Sequence, residues 1–356
     1  MSLQKYIAPA ALLVLGSAVQ AQSSLNVYGV IDLAIGSYQF SGTDGSADNK
    51  RVTRVEPNQL TTSYLGFKGV EDLGGGLKAG FVLEGFLRPD TGASGRFGSA
   101  DPMWSRNANV YLQSGMGKVT LGRQIDMLYL AVLQTEAFGG SFGLSPMTQL
   151  TFGGKWGNDL GDSGWSNAIS YSTPVVSGFS ATAAAQFGET ADKSQRNGYA
   201  LHTRYSSGPF TVVGAWQTVG STAAPKAAFV KGQRQNFGLI GASYDAGFAK
   251  FFAQYGELDN SGFTGAKNID TKVWQLSASV PVTQSGKILT AFGQSKERPS
   301  EGSASTVRVT HSIFTLAYDH NLSKRTDVYA AYMMDHEKVS GYNKGHTYTL
   351  GVRHAF

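Results

Sequence analysis

The sequence lacks cysteine and is poor in charge. With no cysteine in 356 residues, neither a disulfide framework nor a thiolate site can form. Charged residues make up 15% of the chain, whereas a soluble domain typically has about 25%. A conventionally solvated surface all round is therefore excluded. The net charge of +5 is small and scattered, which argues against nucleic acid as a partner. No metal-ligand spacing is present, and we expect no metal or cofactor.

Long apolar runs are also absent beyond the first residues. The apolar stretch over about residues 6–16 is shorter than the roughly 20 residues that a spanning helix needs. It follows Lys5 and precedes Val19 and Ala21, whose small side chains suit a signal-peptidase site. We therefore expect residues 1–21 to be an export signal cleaved after Ala21. Loss of Lys5 would leave a mature chain, residues 22–356, with a net charge of +4 (+5 − 1).

Alternation with a period of two fills the rest of the chain. Between residues 25 and 35, apolar side chains share one face of a predicted strand, while Asn26, Tyr28 and Asp32 share the other. The same pattern recurs at 273–280 and 327–335. It also ends the sequence at 347–356, with the aromatic Phe356 last, which we interpret as a barrel-assembly signal. No predicted strand is apolar on both faces, which excludes a buried parallel sheet.

The connections between these strands are of two unequal kinds. Short turns fall near 71–76, 114–117, 173–178, 206–209, 245–247, 283–286 and 319–324. Long polar segments fall near 41–60, 88–102, 125–164, 189–197, 219–234, 258–271, 296–310 and 337–345. Tight turns at one end and long loops at the other are typical of outer-membrane barrels. The pattern predicts an all-β, antiparallel transmembrane barrel of about sixteen strands, with a water-filled lumen, rather than a soluble β-sandwich.

Four motifs then resemble a known family. They are the segments 63–77 (SYLGFKGVEDLGGGL), 119–124 (VTLGRQ), 324–329 (KRTDVY) and 352–356 (VRHAF). In this order they resemble the trimeric general porins of Gram-negative bacteria, most closely the β-proteobacterial type. The resemblance implies a homotrimer in the outer membrane, surrounded by lipid and lipopolysaccharide. It also implies that loop 125–164 folds into the lumen as a constriction, which suits its unusual length.

The resemblance further implies a transverse field at the constriction. Arg106 aligns with an arginine on the barrel wall of the family, and Lys155 aligns with a second basic position. Tyr64 occupies the position where a third arginine is usual. Glu136 and Asp126 are the candidate carboxylates on the loop. On this interpretation the narrowest part of the pore lies between the basic wall and the acidic loop.

Strand parity adds a wider set of pore-lining charges. The cations are Lys68, Arg204 and Arg353. The anions, which reduce the preference for anions that these cations create, are Asp32, Asp327 and Asp335. A charge in a lumen affects permeation because low-dielectric walls focus its field onto passing ions. We therefore expect passive diffusion of small hydrophilic solutes and ions, with a modest preference for anions.

Three alternatives remain open at this point. A substrate-specific channel for an organic acid or a sugar would use the same scaffold. An adhesin or phage receptor would use the long loops. A barrel enzyme would need a nucleophile with a base in reach, and none of the six histidines lies in a recognisable nucleophile motif.

Overall fold

A computed structural model describes residues 24–96, 101–153, 161–189, 197–220, 234–259, 269–299 and 308–356. The predicted export signal at 1–21 lies outside these residues. The described chain is almost entirely antiparallel β-structure with two short helices. Over these ranges no helix is both long and apolar enough to cross a membrane.

The elements in chain order are β1 (Ser24–Tyr38), β2 (Gly42–Thr43), β3 (Val52–Pro57), β4 (Tyr64–Gly74), β5 (Leu77–Arg88), β6 (Ala93–Ser94), β7 (Asn107–Ser114), β8 (Gly117–Ile125), α1 (Met127–Gln134), α2 (Pro146–Thr151), β9 (Gly164–Ser172), β10 (Phe179–Gln186), β11 (Gly198–Ser207), β12 (Phe210–Val219), β13 (Gln235–Asp245), β14 (Lys250–Asp259), β15 (Ile269–Pro281), β16 (Gly286–Pro299), β17 (Val309–Asn321), β18 (Thr326–Glu337), β19 (Tyr342–Asn343) and β20 (Gly345–Ala355). Sixteen of these strands are long and form the barrel wall; β2, β3, β6 and β19 are short additions. The predicted barrel of about sixteen antiparallel strands is confirmed.

The barrel closes where the first strand meets the last. One edge of β1 pairs with β20, from Val30↔Ala355 to Ser37↔Tyr348. The other edge pairs with β4 along its first half and with β3 along its second half. Phe356 completes the seam, because its N–H donates to the Gly29 carbonyl at 3.1 Å and its carbonyl accepts from the Gly29 N–H at 3.2 Å. Gly29 lacks a side chain at the place where the Phe356 ring lies. The last residue of the sequence is thus part of the closed ladder.

The two faces of the wall follow the alternation in the sequence. On β1, Leu25 and Ile35 point outward and are 68% and 57% exposed, whereas Asp32 and Ala34 point inward and are buried. The outer face is an apolar belt suited to lipid, and the inner face is polar or packed against the long loop.

The segment after β8 folds into the lumen. Helix α1 is apolar on every side, with the sequence MLYLAVLQ, and such a helix is stable only when it is buried all round. Its Leu128 and Val132 belong to a buried cluster with Val213 and Phe237 of the inner wall. Helix α2 is buried at all six positions and contacts β15, β16 and β17. The loop therefore fills the β11–β17 side of the lumen, and the remaining opening lies on the opposite side.

Candidate pore constriction

A narrow cleft separates the inserted loop from the wall formed by β4, β5 and β7. Its volume is about 70 Å³, and it lies between Tyr64, Phe86 and Arg106 on the wall side and Tyr129 and the 139–141 turn on the loop side. On the long-loop side a wider cavity of about 410 Å³ is lined by Arg54, Glu56 and Arg88 among others. Thr62 lines both spaces. The cleft lies between the wall and the loop, where the resemblance leads us to expect the constriction.

Arg106 stands on the wall of this cleft in a cluster of aromatic and polar groups. Its guanidinium lies 4.3 Å from the centroid of the Tyr64 ring, an arrangement that favours a cation over an aromatic face. The guanidinium is also ion-paired with the Glu84 carboxylate. Asn107 donates its amide to the same carboxylate, and the Tyr28 hydroxyl donates to it at 2.6 Å. Arg106 and Tyr64 are thus brought together.

Glu84 is a charged residue of this site that the sequence analysis missed. It is 4% exposed and lies on the inward parity of β5, opposite Gly66 of β4. The signal for it was available, because the tight turn at 74–77 fixes the register of β4 against β5 and so fixes which face Glu84 occupies. Its negative charge offsets the positive charge of Arg106.

Lys68 supplies a second cation on the same wall. It is exposed, and its ammonium lies 4.6 Å from the centroid of the Tyr28 ring. Across the described ranges no carboxylate lies within ion-pair distance of it. Lys68 lies four residues along β4 from Tyr64, which places it about 14 Å nearer the short turns. Its charge therefore adds to the field of the lumen.

The two loop carboxylates hold the loop in place. Asp126 caps α1, accepting from the N–H groups of Leu128 at 3.1 Å and Tyr129 at 3.0 Å. Glu136 accepts from the Gly140 N–H, from the Ser145 hydroxyl and, at 2.9 Å, from the amide of Gln275 on β15. Burial raises the pKa of the Glu136 carboxyl. Both side chains are buried, so these contacts favour a structural role rather than the predicted role of facing passing ions.

Three further predicted residues form a separate network on the inner wall. Arg353 lies 3.0 Å from Asp327, donates to the Thr61 hydroxyl at 2.8 Å and lies 3.7 Å from Asp319. Asp32 is fully buried, and it accepts from the Thr61 N–H at 2.6 Å and from the Tyr329 hydroxyl at 2.6 Å. This network fixes the segment before β4, and even with Lys287, which lies 3.3 Å from Asp319, it holds two cations against three carboxylates.

The remaining predicted residues lie apart from the cleft. Arg204 is exposed near the short-turn end of β11 and donates to Ser206 at 3.1 Å. Asp335 is buried near the long-loop end, where it accepts from the Ser41 N–H at 2.8 Å and lies 3.7 Å from His311. Lys155 lies outside the described residues. Over those residues no three acidic or histidine side chains converge on a point that could hold a metal ion.

A buried cluster of ion pairs links the segment after β5 with β8 and with the residues just before β9. Arg96, in the segment after β5, pairs with Asp101 at 2.9 Å and with Asp162, just before β9, at 2.8 Å. Arg123 lies 3.6 Å from Asp162 and donates to the Ser105 carbonyl at 2.6 Å. Burial alone would raise the pKa of the Asp162 carboxyl, but the Arg96 guanidinium outweighs it and holds that pKa below its usual range. The cluster joins the root of the inserted loop to the residue that precedes Arg106.

Comparison with known proteins agrees with this architecture. A family model described as Gram-negative porin matches residues 8–340, and the chain belongs to this family. Outer membrane porin protein 32 of Delftia acidovorans is 29% identical, covering 99% of this chain and 100% of the relative. An outer membrane porin protein of Bordetella pertussis is 24% identical, with 99% and 100% covered. The resemblance found in the sequence is confirmed, and the chain is an outer-membrane porin.

Solved structures give the same result for the fold. An anion-selective porin from Comamonas acidovorans superposes with a TM-score of 0.75 at 25% identity, covering 94% of this chain and 100% of that chain. OmpF of Salmonella typhi, in complex with daunomycin, superposes with a TM-score of 0.69 at 17% identity, covering 93% and 97%.

Proposed function

We propose that the protein forms a pore for passive diffusion of small hydrophilic solutes and ions, with a modest preference for anions. The observation that carries the proposal is the charge balance of the cleft wall. Arg106 and Lys68 contribute two positive charges and Glu84 one negative charge, giving a net +1 (1 + 1 − 1). The loop carboxylates Glu136 and Asp126 neither line the cleft nor pair with Arg106, whereas Glu84 contacts Arg106 directly, so they are left out of this balance. The anion-selective porin of Comamonas acidovorans supports the sign of the preference.

The reversal potential in a planar bilayer under a salt gradient tests this proposal. The parent is expected to favour chloride over potassium, and Lys68→Gln is expected to reduce that preference. Lys324→Gln, which removes the same charge at an exposed short turn, is the matched control and should leave the potential unchanged. The gradient is kept at low ionic strength, where screening acts only beyond about 30 Å at 0.01 M, because Lys68 lies about 14 Å along β4 from Tyr64. Cation selectivity in the parent would refute the assignment.

A substrate-specific channel is the second candidate, and the cavity on the long-loop side favours it. Arg54 stacks over Tyr38 at 5.0 Å and pairs with Glu56 at 2.5 Å. The volume of about 410 Å³ is within the range of small-molecule sites. Liposome swelling with sugars of graded size separates the candidates. A smooth decline with solute size supports a general pore, and one solute that enters far faster than its size allows supports a specific channel.

We also infer that the working form is a homotrimer and that residues 1–21 are removed on export. Members of the Gram-negative porin fold include a structure described as a trimer, OmpT of Vibrio cholerae. Cross-linking of unheated protein should give a ladder that ends at three chains. A single cross-linked species at the mass of one chain would contradict the homotrimer. Mass spectrometry of protein from outer membranes should give a chain that begins at Gln22, and a mass that includes Met1 would contradict the cleavage.

A further inference from the structure

The cavity of about 410 Å³ on the long-loop side of the constriction, which we call the vestibule cavity, has a partly apolar lining. The apolar side chains are those of Tyr38, Phe40, Phe142 and Met333, which come from β1, the segment after it, the inserted loop and β18. Tyr38 and Met333 are 4% and 2% exposed, so this part of the lining is packed into the wall. Three of the four side chains are aromatic, which suits a flat ring as the occupant.

A buried hydroxyl in the same lining lacks a hydrogen-bond partner. Thr347 lies on β20, directly opposite Met333 of β18, and is 2% exposed. Its hydroxyl neither donates nor accepts a hydrogen bond among the described residues. Buried polar atoms of folded proteins nearly always have such a partner. Because Thr347 lines the vestibule cavity, its partner comes from the solution that enters the cavity.

Arg88, the last residue of β5, brings a guanidinium to the vestibule cavity. The Asp90 carboxylate lies 3.8 Å from it, which is beyond hydrogen-bond distance. Over the described ranges, no other acceptor contacts the Arg88 guanidinium. The other two arginines of the lining, Arg54 and Arg96, each have a carboxylate closer, at 2.5 Å and 2.9 Å respectively. Arg88 therefore has N–H groups available for a planar carboxylate, which a guanidinium binds through two parallel hydrogen bonds.

The vestibule cavity adjoins the narrow cleft, because Thr62 lines both spaces. A molecule bound in the cavity therefore lies at the entrance of the constriction. We propose that the vestibule cavity binds a small aromatic carboxylate on its way into the pore, with the carboxylate on Arg88 and the ring against the apolar lining. This inference rests on the proposed pore, and it gives the substrate class of the second candidate function.

Block of the ion current in a planar bilayer tests the proposal, because an occupant of the cavity obstructs the entrance of the cleft. Benzoate, benzamide and acetate are added on the long-loop side, and the concentration of each that halves the conductance is measured. In the parent, benzoate should block saturably and at a lower concentration than benzamide, which lacks the charge, or acetate, which lacks the ring.

Two variants separate the charge from the apolar lining. Arg88→Gln should raise the half-blocking concentration of benzoate about tenfold, the order expected for the loss of one charge-assisted hydrogen bond, and leave that of benzamide unchanged. Thr347→Leu extends an apolar side chain from the wall into the cavity and keeps Arg88, so it should weaken the block by both aromatic probes. Each variant is compared with its own current before a probe is added, and unchanged gel mobility on heating establishes that it is folded.

Arg51→Gln is the matched control, because it removes an exposed arginine at the same end of the barrel, where Arg51 donates to Ser37 and Gln39 outside the cavity. Equal half-blocking concentrations of benzoate and acetate in the parent, or the same loss in Arg51→Gln and Arg88→Gln, would overturn the proposal. A parent that conducts ions but is not blocked by benzoate would overturn it and leave the diffusion pore intact. A parent without conductance would instead refute the proposed function itself.

Discussion

Replacing Glu84 by glutamine should increase the preference of the pore for anions. The Glu84 carboxylate contacts Arg106, Asn107 and Tyr28 and is buried behind them. An amide of the same shape keeps the packing but carries no charge. The wall of the cleft would then change from a net +1 to a net +2, since only Glu84 among the three charges considered there is negative.

The size of the effect follows from Coulomb's law. One unit charge about 8 Å from a passing ion changes the energy of that ion by about 0.5 kcal/mol in bulk water, and by about 2 kcal/mol at an effective dielectric of about 20. The change has opposite signs for chloride and potassium, so the ratio of their permeabilities responds to both. Even at the bulk value, the two changes of about 0.5 kcal/mol add to about 1 kcal/mol, so the anion-to-cation ratio should rise roughly fivefold.

The reversal potential under a tenfold salt gradient measures this ratio directly. Glu71→Gln removes the same charge at an exposed position near the short turn of β4 and should leave the ratio unchanged. The Glu84→Gln variant must first show normal single-channel conductance, because the lost acceptor could disturb Arg106. An unchanged ratio, or a shift toward cations, in a variant with normal conductance would refute the view that Glu84 limits the anion preference.

Three other predictions concern the interactions that hold the inserted loop and the barrel seam in place. Asp162→Asn should increase the frequency of pore closure at neutral pH, because the variant loses the ion pair with Arg96. Since Arg96 holds the Asp162 pKa below its usual value, the parent should keep this ion pair above about pH 4 and lose it only as the pH falls further. Current recordings from pH 7 to pH 3 check both expectations. Gln275→Leu leaves the buried Glu136 carboxylate short of a donor and should destabilise the folded barrel by about 1–3 kcal/mol, seen as a lower unfolding midpoint in denaturant. Gly29→Val would bring a Cβ against the backbone carbonyl oxygen of Tyr64 and to 2.7 Å from Cζ of Phe356, so it should disturb the seam and slow refolding followed by gel mobility. Refolding at the parent rate would contradict this.

The barrel could be predicted from the sequence because each strand carries its own signal. Leu25 and Ile35 face outward and Asp32 and Ala34 face inward, as the period of two requires. The unequal connections then set the direction of each strand, and a closed sheet needs no further long-range information. The inward folding of residues 126–153 was also predictable, from the length of the connection and from the apolar helix α1, which is stable only when it is buried.

The charges of the constriction could not be predicted in the same way. Parity identifies which side chains face the lumen, but it does not determine which of them pair. Arg353 and Asp327 share a parity with Lys68, yet they neutralise each other at 3.0 Å, whereas Lys68 stands over an aromatic ring. The partner of Arg106 comes from a different strand, 22 residues earlier, and that pairing depends on the register of the barrel.

From the hydrogen bonds of the inserted loop we expect residues of the barrel wall, rather than the loop carboxylates, to determine ion selectivity. Glu84 acts on the passage because it contacts Arg106 there, whereas Glu136 accepts three hydrogen bonds from neutral donors inside the fold. Asp126 is likewise used to begin α1. The loop therefore sets the width of the passage, while the charges that act on ions belong to the wall. Substitutions on the wall at Glu84 and Lys68 should change selectivity at nearly constant conductance, whereas substitutions that loosen the loop should change conductance and stability before they change selectivity.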